Sequence, residues 1–229
     1  RTVREAVQDA DVIFVMVGYP TDVREVFCDE GGIFDSARPG TLAIDMTTSS
    51  PSLAKELYEE GKKKGIRVMD APVSGGDSGA RNATLSIMVG GDENDLKEAM
   101  PLLECMGKNI VYMGAAGSGQ HTKAANQIAV AGATAAYTEA LIYAQKAGLD
   151  PQRGLEAIGA GAAGSWQLSN MAPRALAGDF APGFFIKHFI KDMKIVRDES
   201  RKAGVELEML NTVLGLYEKM AEMGLENDG

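Results

Sequence analysis

Three short segments hold the side chains that could do chemistry. In Asp70-Ala71-Pro72-Val73-Ser74-Gly75-Gly76, followed by Gly79-Ala80 and Thr84-Leu85, one hydroxyl stands beside two residues without side chains. Ser74, Gly75 and Gly76 can offer that hydroxyl and unobstructed backbone N–H groups to a carboxylate. The same string also describes a plain glycine turn. Gly117-Ser118-Gly119 leads into Lys123, Asn126 and Gln127. Lys123 and Asn126 are three apart and share a helix face. The turns that follow, Ala129 to Ala136, are almost wholly apolar. A lysine held in an apolar pocket is drawn toward the pKa range of proton transfer; a solvated surface lysine is the plainer alternative. The third segment, Phe184 to Lys194, sets Lys191 and Asp192 among apolar residues at helical spacing, which an ordinary helix with a charged face would also show.

Other chemistries lack their residues. His121 and His188 form no pair with metal-ligand spacing, Cys28 and Cys105 make no Cys-x-x-Cys motif, and no nucleophile elbow is present. Metal and serine-hydrolase chemistry are therefore not expected. The net charge of −9 disfavours nucleic acid and anionic membranes as partners. The longest apolar runs fall short of the roughly 18 residues that a membrane span needs. With two cysteines and a start of Arg1-Thr2-Val3-Arg4-Glu5, the expected setting is reducing and cytoplasmic.

The elements that must position these residues divide into two kinds. Val12–Val17 is a near-continuous apolar run, expected to be a parallel strand buried on both faces. Thr41–Met46, Ile66–Asp70, Leu85–Val89 and Ile110–Met113 are the further strands. Helices fit between them at Thr21–Cys28, at Pro51–Gly65 behind Ser50 as N-cap, and at Glu93–Met106 behind Asp92. Strands alternating with helices predict a mostly parallel βαβ sheet. From Gly117 the strand signal ends. Gln120–Ala147 reads as one long helix, with Gly132 inside it for a packing reason. Pro151–Gly159, Ser165–Leu176, Ile186–Ala203 and Glu206–Met223 read as further helices. The expected fold class is α/β: an incomplete Rossmann-type parallel sheet domain over 1–116, then an all-α domain over 117–229 opened by the long helix.

In this order and spacing the three segments resemble the β-hydroxyacid dehydrogenase family, in its 3-hydroxyisobutyrate dehydrogenase-like form. Val17-Gly18-Tyr19-Pro20 and Asp45-Met46-Thr47-Thr48-Ser49-Ser50-Pro51 join them, so that the resemblance covers essentially the whole chain. It implies an oxidoreductase that uses NAD or NADP to interconvert a short 3-hydroxy acid and its semialdehyde. Lys123 is implied as general acid/base, with Asn126 orienting substrate and lysine. Ser74, Gly75 and Gly76 are implied to hold the substrate carboxylate. Tyr19, Pro20, Thr48, Phe184, Lys191 and Asp192 are implied at the cofactor. Glyoxylate, succinic semialdehyde or tartronate semialdehyde reduction with NADPH is the alternative within the class. A non-catalytic oligomerisation or binding module is the alternative outside it, and intact Lys123, Ser74 and Asn126 argue against it. Ala125 stands where the related 6-phosphogluconate dehydrogenases carry His, and Lys123 stands where imine reductases of similar fold do not keep a lysine. Both favour hydroxy acid chemistry. Ala83 departs from the glycine that relatives often carry there. The family's opening strand, Gly-x-Gly-x-x-Gly turn and helix do not precede Asp11, so the chain is expected to be part of a longer enzyme. A homodimer or homotetramer is expected, acting on a small molecule.

Overall fold

The computed structural model describes residues 2–229. It holds two compact units, Arg1–Ala125 and Asn126–Gly229.

The first unit alternates helices and strands: α1 (Val3–Val7), β1 (Val12–Val15), α2 (Pro20–Cys28), α3 (Ile33–Ser36), β2 (Leu42–Asp45), α4 (Pro51–Lys64), β3 (Arg67–Asp70), β4 (Val73–Ser74), α5 (Gly76–Arg81), β5 (Leu85–Gly90), α6 (Glu93–Leu103) and β6 (Gly107–Gly114), ending in the first turns of α7 (Ser118–Lys146). The strands form one sheet in the order β1-β2-β3-β5-β4, with β6 on β5. β1, β2 and β3 are parallel, in the register Val12, Leu42, Arg67.

Beyond β3 the sheet is mixed, not uniformly parallel. Asp70 pairs with Gly90, Val73 with Ile87 and Ser74 with Ser86, all antiparallel. The chain therefore leaves β2 at Asp70 and runs back along β5, while β6 follows β5 in parallel. The bend falls at Ala71-Pro72, where Pro72 has no N–H to give a ladder and its carbonyl accepts from Met88 N–H at 3.0 Å.

Residues of β2 alternate between two cores. Ala43 joins Ile13, Val15 and Val68 under α1, α2, α3 and α4, with Val23, Phe27, Leu53 and Leu57. Leu42 and Ile44 join Met69, Ile87 and Val89 under α6, with Leu96, Ala99 and Leu103. β2 is buried on both faces. β1 is not: Ile13 and Val15 are buried, whereas Phe14 is 39% exposed. Ser50 caps α4, its Oγ accepting from Leu53 N–H at 3.3 Å, and Pro51 opens the helix.

The second unit holds the rest of α7, then α8 (Pro151–Gly159), α9 (Trp166–Asn170), α10 (Ala172–Leu176), α11 (Ile186–Lys202) and α12 (Glu208–Glu222). The stretch expected as one helix at Ser165–Leu176 is two, broken at Met171. Leu155, Leu168 and Ala172 form a small core with Tyr137 and Leu141. α11 buries Ile186, Phe189, Ile190, Met193 and Val196, a stripe of helical period. Phe189 meets Tyr217 of α12 edge-on at 5.1 Å, and burial pushes the Tyr217 phenol up to about 12. Gly132 makes room for α12, since a Cβ there would stand 3.1 Å from Met209 Cε.

Candidate active site

Three parallel strands end together, and the peptides leaving them carry the candidate residues. β1 runs into Val17–Pro20, β2 into Met46–Ser49, and β3 into Ala71–Ser74. Open α/β sheets bind ligands at this carboxyl edge. The first two peptides are tied together, Val17 N–H donating to Thr47 Oγ1 at 3.0 Å and Met46 N–H to the Val15 carbonyl at 2.8 Å. Tyr19 is exposed and opens α2, with Pro20 in its first turn; Asp22 holds the Tyr19 N–H at 2.9 Å. Thr48 is half-buried beside them. Tyr19-Pro20 and Thr48 thus stand at neighbouring strand ends, on the edge at which such sheets bind ligands.

The helix bearing Lys123 is anchored to the same edge by one carboxylate. Asp70, the last residue of β3, accepts from Gly117 N–H at 2.7 Å through Oδ1 and from Gln120 N–H at 2.8 Å through Oδ2. A helix start leaves its first N–H groups unpaired and attracts negative charge, so Asp70 satisfies both needs. Burial nevertheless holds the Asp70 carboxyl above the usual carboxylate range, against the opposing pull of the Gly117 and Gln120 N–H groups. The approach is close: a Cβ on Gly119 would collide with the Met88 carbonyl oxygen and stand 2.8 Å from the Asp70 carbonyl. Lys123, one turn further on, is only 7% exposed.

Gln120 makes a second tie. It is 1% exposed, its Nε2 donates to the Thr47 carbonyl at 2.7 Å, and its Oε1 accepts from Ser49 N–H at 2.9 Å. Asp45 completes the turn, accepting from Thr47 N–H at 3.0 Å.

The loop after β4 has the backbone that its glycines allow. Gly75 stands at φ 131° and Gly76 at φ 63°, left-handed conformations that disfavour a Cβ. Both are exposed, Ser74 is half-buried, and Gly76 opens α5. Ser78 Oγ donates to the Gly75 carbonyl at 3.3 Å, which fixes the loop from behind.

In the second unit a chain of polar contacts through Gln127 joins Asn126, Asp192 and Lys191. Asn126 Nδ2 donates to Gln127 Oε1 at 2.8 Å, and Gln127 Nε2 donates to Asp192 Oδ2 at 2.5 Å. Lys191 Nζ lies 2.9 Å from Asp192 Oδ1. Asp192 is fully buried, so a charged-face reading of this helix fails at that residue. Phe184 is exposed and meets the ring of Phe189 at 6.1 Å. His188 is held below the usual imidazole range by burial and by Lys191 and Lys187.

The first unit thus holds Tyr19, Pro20, Thr48, Ser74, Gly75, Gly76 and Lys123, and the second holds Phe184 and, joined through Gln127, Asn126, Asp192 and Lys191. Asp70 and Gln120 are not singled out as site residues by sequence. The available signals were that Asp70 ends a strand within a motif and that Gln120 lies three residues before Lys123. Among the described residues no cluster of His, Cys, Asp and Glu could hold a metal ion, and no helix is long and apolar enough to cross a membrane.

Known proteins resemble this chain in sequence and in fold. A family model described as the NAD binding domain of 6-phosphogluconate dehydrogenase matches residues 1–114, and one described as NAD-binding of NADP-dependent 3-hydroxyisobutyrate dehydrogenase matches residues 117–229. An uncharacterised oxidoreductase of Bacillus subtilis is 53% identical over 228 residues, which span 100% of this chain and 79% of that protein. The 2-hydroxy-3-oxopropionate reductase of Escherichia coli is 39% identical, over 97% of this chain and 76% of that one. A Mycobacterium tuberculosis 3-hydroxyisobutyrate dehydrogenase, solved with L-serine, superposes with a TM-score of 0.89 at 35% identity, covering 99% of this chain and 79% of that one. By these matches and the motifs at the strand ends, the chain belongs to the β-hydroxyacid dehydrogenase family, as a 3-hydroxyisobutyrate dehydrogenase-like, NAD(P)-dependent oxidoreductase.

Proposed function

We propose that the protein interconverts a short 3-hydroxy acid and its semialdehyde, with Lys123 as the general acid/base. The observation that carries the reading is Lys123 itself: a lysine only 7% exposed, one turn from a helix start anchored to the carboxyl edge of the sheet. Bound NAD(P) supplies the hydride acceptor or donor, the chemistry that belongs to the cofactor. Lys123 Nζ takes the proton of the substrate hydroxyl during oxidation and returns it to the carbonyl oxygen during reduction. Ser74 Oγ and the N–H groups of Gly75 and Gly76 bind the substrate carboxylate. Asn126, one turn after Lys123, orients the reacting oxygen. Tyr19, Pro20 and Thr48 line the cofactor in the first unit, and Phe184, Lys191 and Asp192 are assigned to it in the second. The L-serine solved with the M. tuberculosis relative carries a carboxylate and a 3-hydroxyl, the two groups these residues would bind.

A second reading is reduction of tartronate semialdehyde, or of glyoxylate or succinic semialdehyde, with NADPH; the E. coli relative's name, a 2-hydroxy-3-oxopropionate reductase, favours the first of these substrates. Domains over 1–116 and 117–229, a cytoplasmic setting, and a homodimer or homotetramer complete the proposal. Ile142, Tyr143, Leu149 and Trp166, all more than half exposed in the second unit, support assembly. NAD(P)H absorbance on the full-length enzyme, with a panel of 3-hydroxy acids and semialdehydes, tests the activity. Lys123→Ala should cut kcat about 10²–10⁴-fold and leave cofactor binding intact. A variant retaining most of its kcat would remove Lys123 from the mechanism.

A further inference from the structure

The side chain of Gln120 does the work of a missing strand. Along the β3 side of β2, hydrogen bonds come from alternate residues: the Thr41 carbonyl accepts from Arg67 N–H at 2.9 Å, and the Asp45 carbonyl from Ala71 N–H at 2.7 Å. The next groups on that side are the Thr47 carbonyl and the Ser49 N–H. β3 cannot reach them, because beyond Asp70 the chain turns away to pair with β5. The Gln120 amide takes its place, with Nε2 on the Thr47 carbonyl at 2.7 Å and Oε1 on the Ser49 N–H at 2.9 Å. Donating to the residue before Thr48 and accepting from the residue after it is the pattern of a parallel ladder partner. Buried backbone groups left unpaired are costly, so this rung fixes the peptide of Thr48 firmly.

Gln120 also lies on the helix face of Lys123, three residues ahead. Its own N–H is held by Asp70. One residue therefore ties the Thr48 peptide, at the end of β2, to the first turn of the lysine's helix, which Asp70 holds at the end of β3. We infer that Gln120 is a positioning residue for hydride and proton transfer, setting Thr48 and Lys123 in register through its two amide hydrogen bonds to the Thr47 carbonyl and the Ser49 N–H. The inference rests on the roles proposed above for Thr48 and Lys123.

Two substitutions in the full-length enzyme test it, with the panel acid that the wild type oxidises fastest. Gln120→Ala should lower kcat about 10–100-fold, the range expected when reacting groups shift by about an ångström. KM for NAD(P)+ should stay within about three-fold, and hydrogen exchange at Ser49 N–H should accelerate. Gln120→Glu gives a readout that a purely structural role would not. A glutamic acid can donate its O–H to the Thr47 carbonyl and accept from Ser49 N–H, as the amide does; a glutamate cannot donate. The kcat deficit of Gln120→Glu relative to wild type should therefore shrink at least about ten-fold from about pH 9 to about pH 6, as burial favours the neutral acid. Asp70, which holds the Gln120 N–H, and the neighbouring Asp45 and Lys123 are the same in both proteins, so the ratio to wild type separates their titration from that of the new carboxyl. The Gln120→Ala ratio should stay flat with pH. A Gln120→Ala kcat within two-fold of wild type, or a Gln120→Glu ratio that does not change with pH, overturns the inference. If Gln120→Ala does not fold, the Gln120→Glu profile decides alone. Lys123→Ala separates the two levels: if it is inactive while Gln120→Ala is normal, only the positioning role is lost. If Lys123→Ala keeps its kcat, or the wild type oxidises no panel acid, the site reading falls and this inference with it.

Discussion

The two ends of the parallel strands are held together by different physics. At the amino end the ties are charged and partly solvated. Arg38 reaches the Asp9 carbonyl at 2.9 Å and Asp11 at 3.1 Å, and Arg67 spans the Gly40 carbonyl, Asp95 and Glu98 at 2.6–3.0 Å. At the carboxyl end they are buried and mostly neutral: one carboxylate on two backbone N–H groups and one amide on two peptide groups. Exposed ion pairs give little energy and tolerate movement, because water and salt can replace them. Buried hydrogen bonds have no such substitute, so their loss is costly and their geometry narrow. Precise ties are concentrated where the candidate catalytic residues sit, and forgiving ones at the far end.

The contrast can be broken at four points. Gly119→Ala should be the most damaging, by about 3 kcal/mol, because its Cβ meets backbone on β3 and β5 that cannot swing aside; chemical denaturation reads the loss, and kcat should fall with it. Asp70→Asn should cost about 2 kcal/mol, since an amide has one acceptor oxygen for two buried N–H groups. Its pH dependence has a definite sign. The folded-state pKa of Asp70 lies above the ordinary value of about 3.8, so the native state binds the proton more tightly. Wild-type stability relative to Asp70→Asn should therefore rise as pH falls from the raised value to about 3.8, and be level on either side. Urea titrations of both proteins across that window check the sign. At the amino end, Arg67→Met should cost about 1 kcal/mol or less, shrink further in high salt, and leave kcat within about two-fold. Ala83→Gly should stabilise by about 0.5 kcal/mol. Ala83 alone among the described non-glycine residues stands at positive φ, 53°, and relief of that strain slightly exceeds the extra flexibility of glycine in the unfolded chain.

Much of this was legible in the sequence because it is local. Apolar runs with turn residues between them mark β1, β2, β3 and β5. Ser50-Pro51 and Asp92 mark the starts of α4 and α6, and the Ala-rich run after Gly119 marks α7. Strand direction is not local, since an apolar run reads the same for either orientation, and so the antiparallel path of Val73–Ser74 along β5 was not foreseen. Phe14 was expected to be buried because its neighbours are apolar, yet burial depends on whether an element covers that face. The short α5 is hidden in a glycine-rich string that also spells a turn. Lys123, Ser74 and Asn126 stood out by type and spacing. Asp70 and Gln120 did not, because their partners lie 47 to 73 residues away along the chain.

Those separations also bear on the order of events in folding. The Thr48 peptide cannot take its final form from β1 and β2 alone; it waits for residue 120, and α7 cannot dock its first turn until Asp70 is in the sheet. Contacts that close loops of this length lose chain entropy before they return any energy, and they form late. A chain emerging during synthesis would therefore complete its hydrophobic layers first and assemble the edge bearing Lys123 afterwards, so that the ability to do chemistry arrives as one of the last steps of folding.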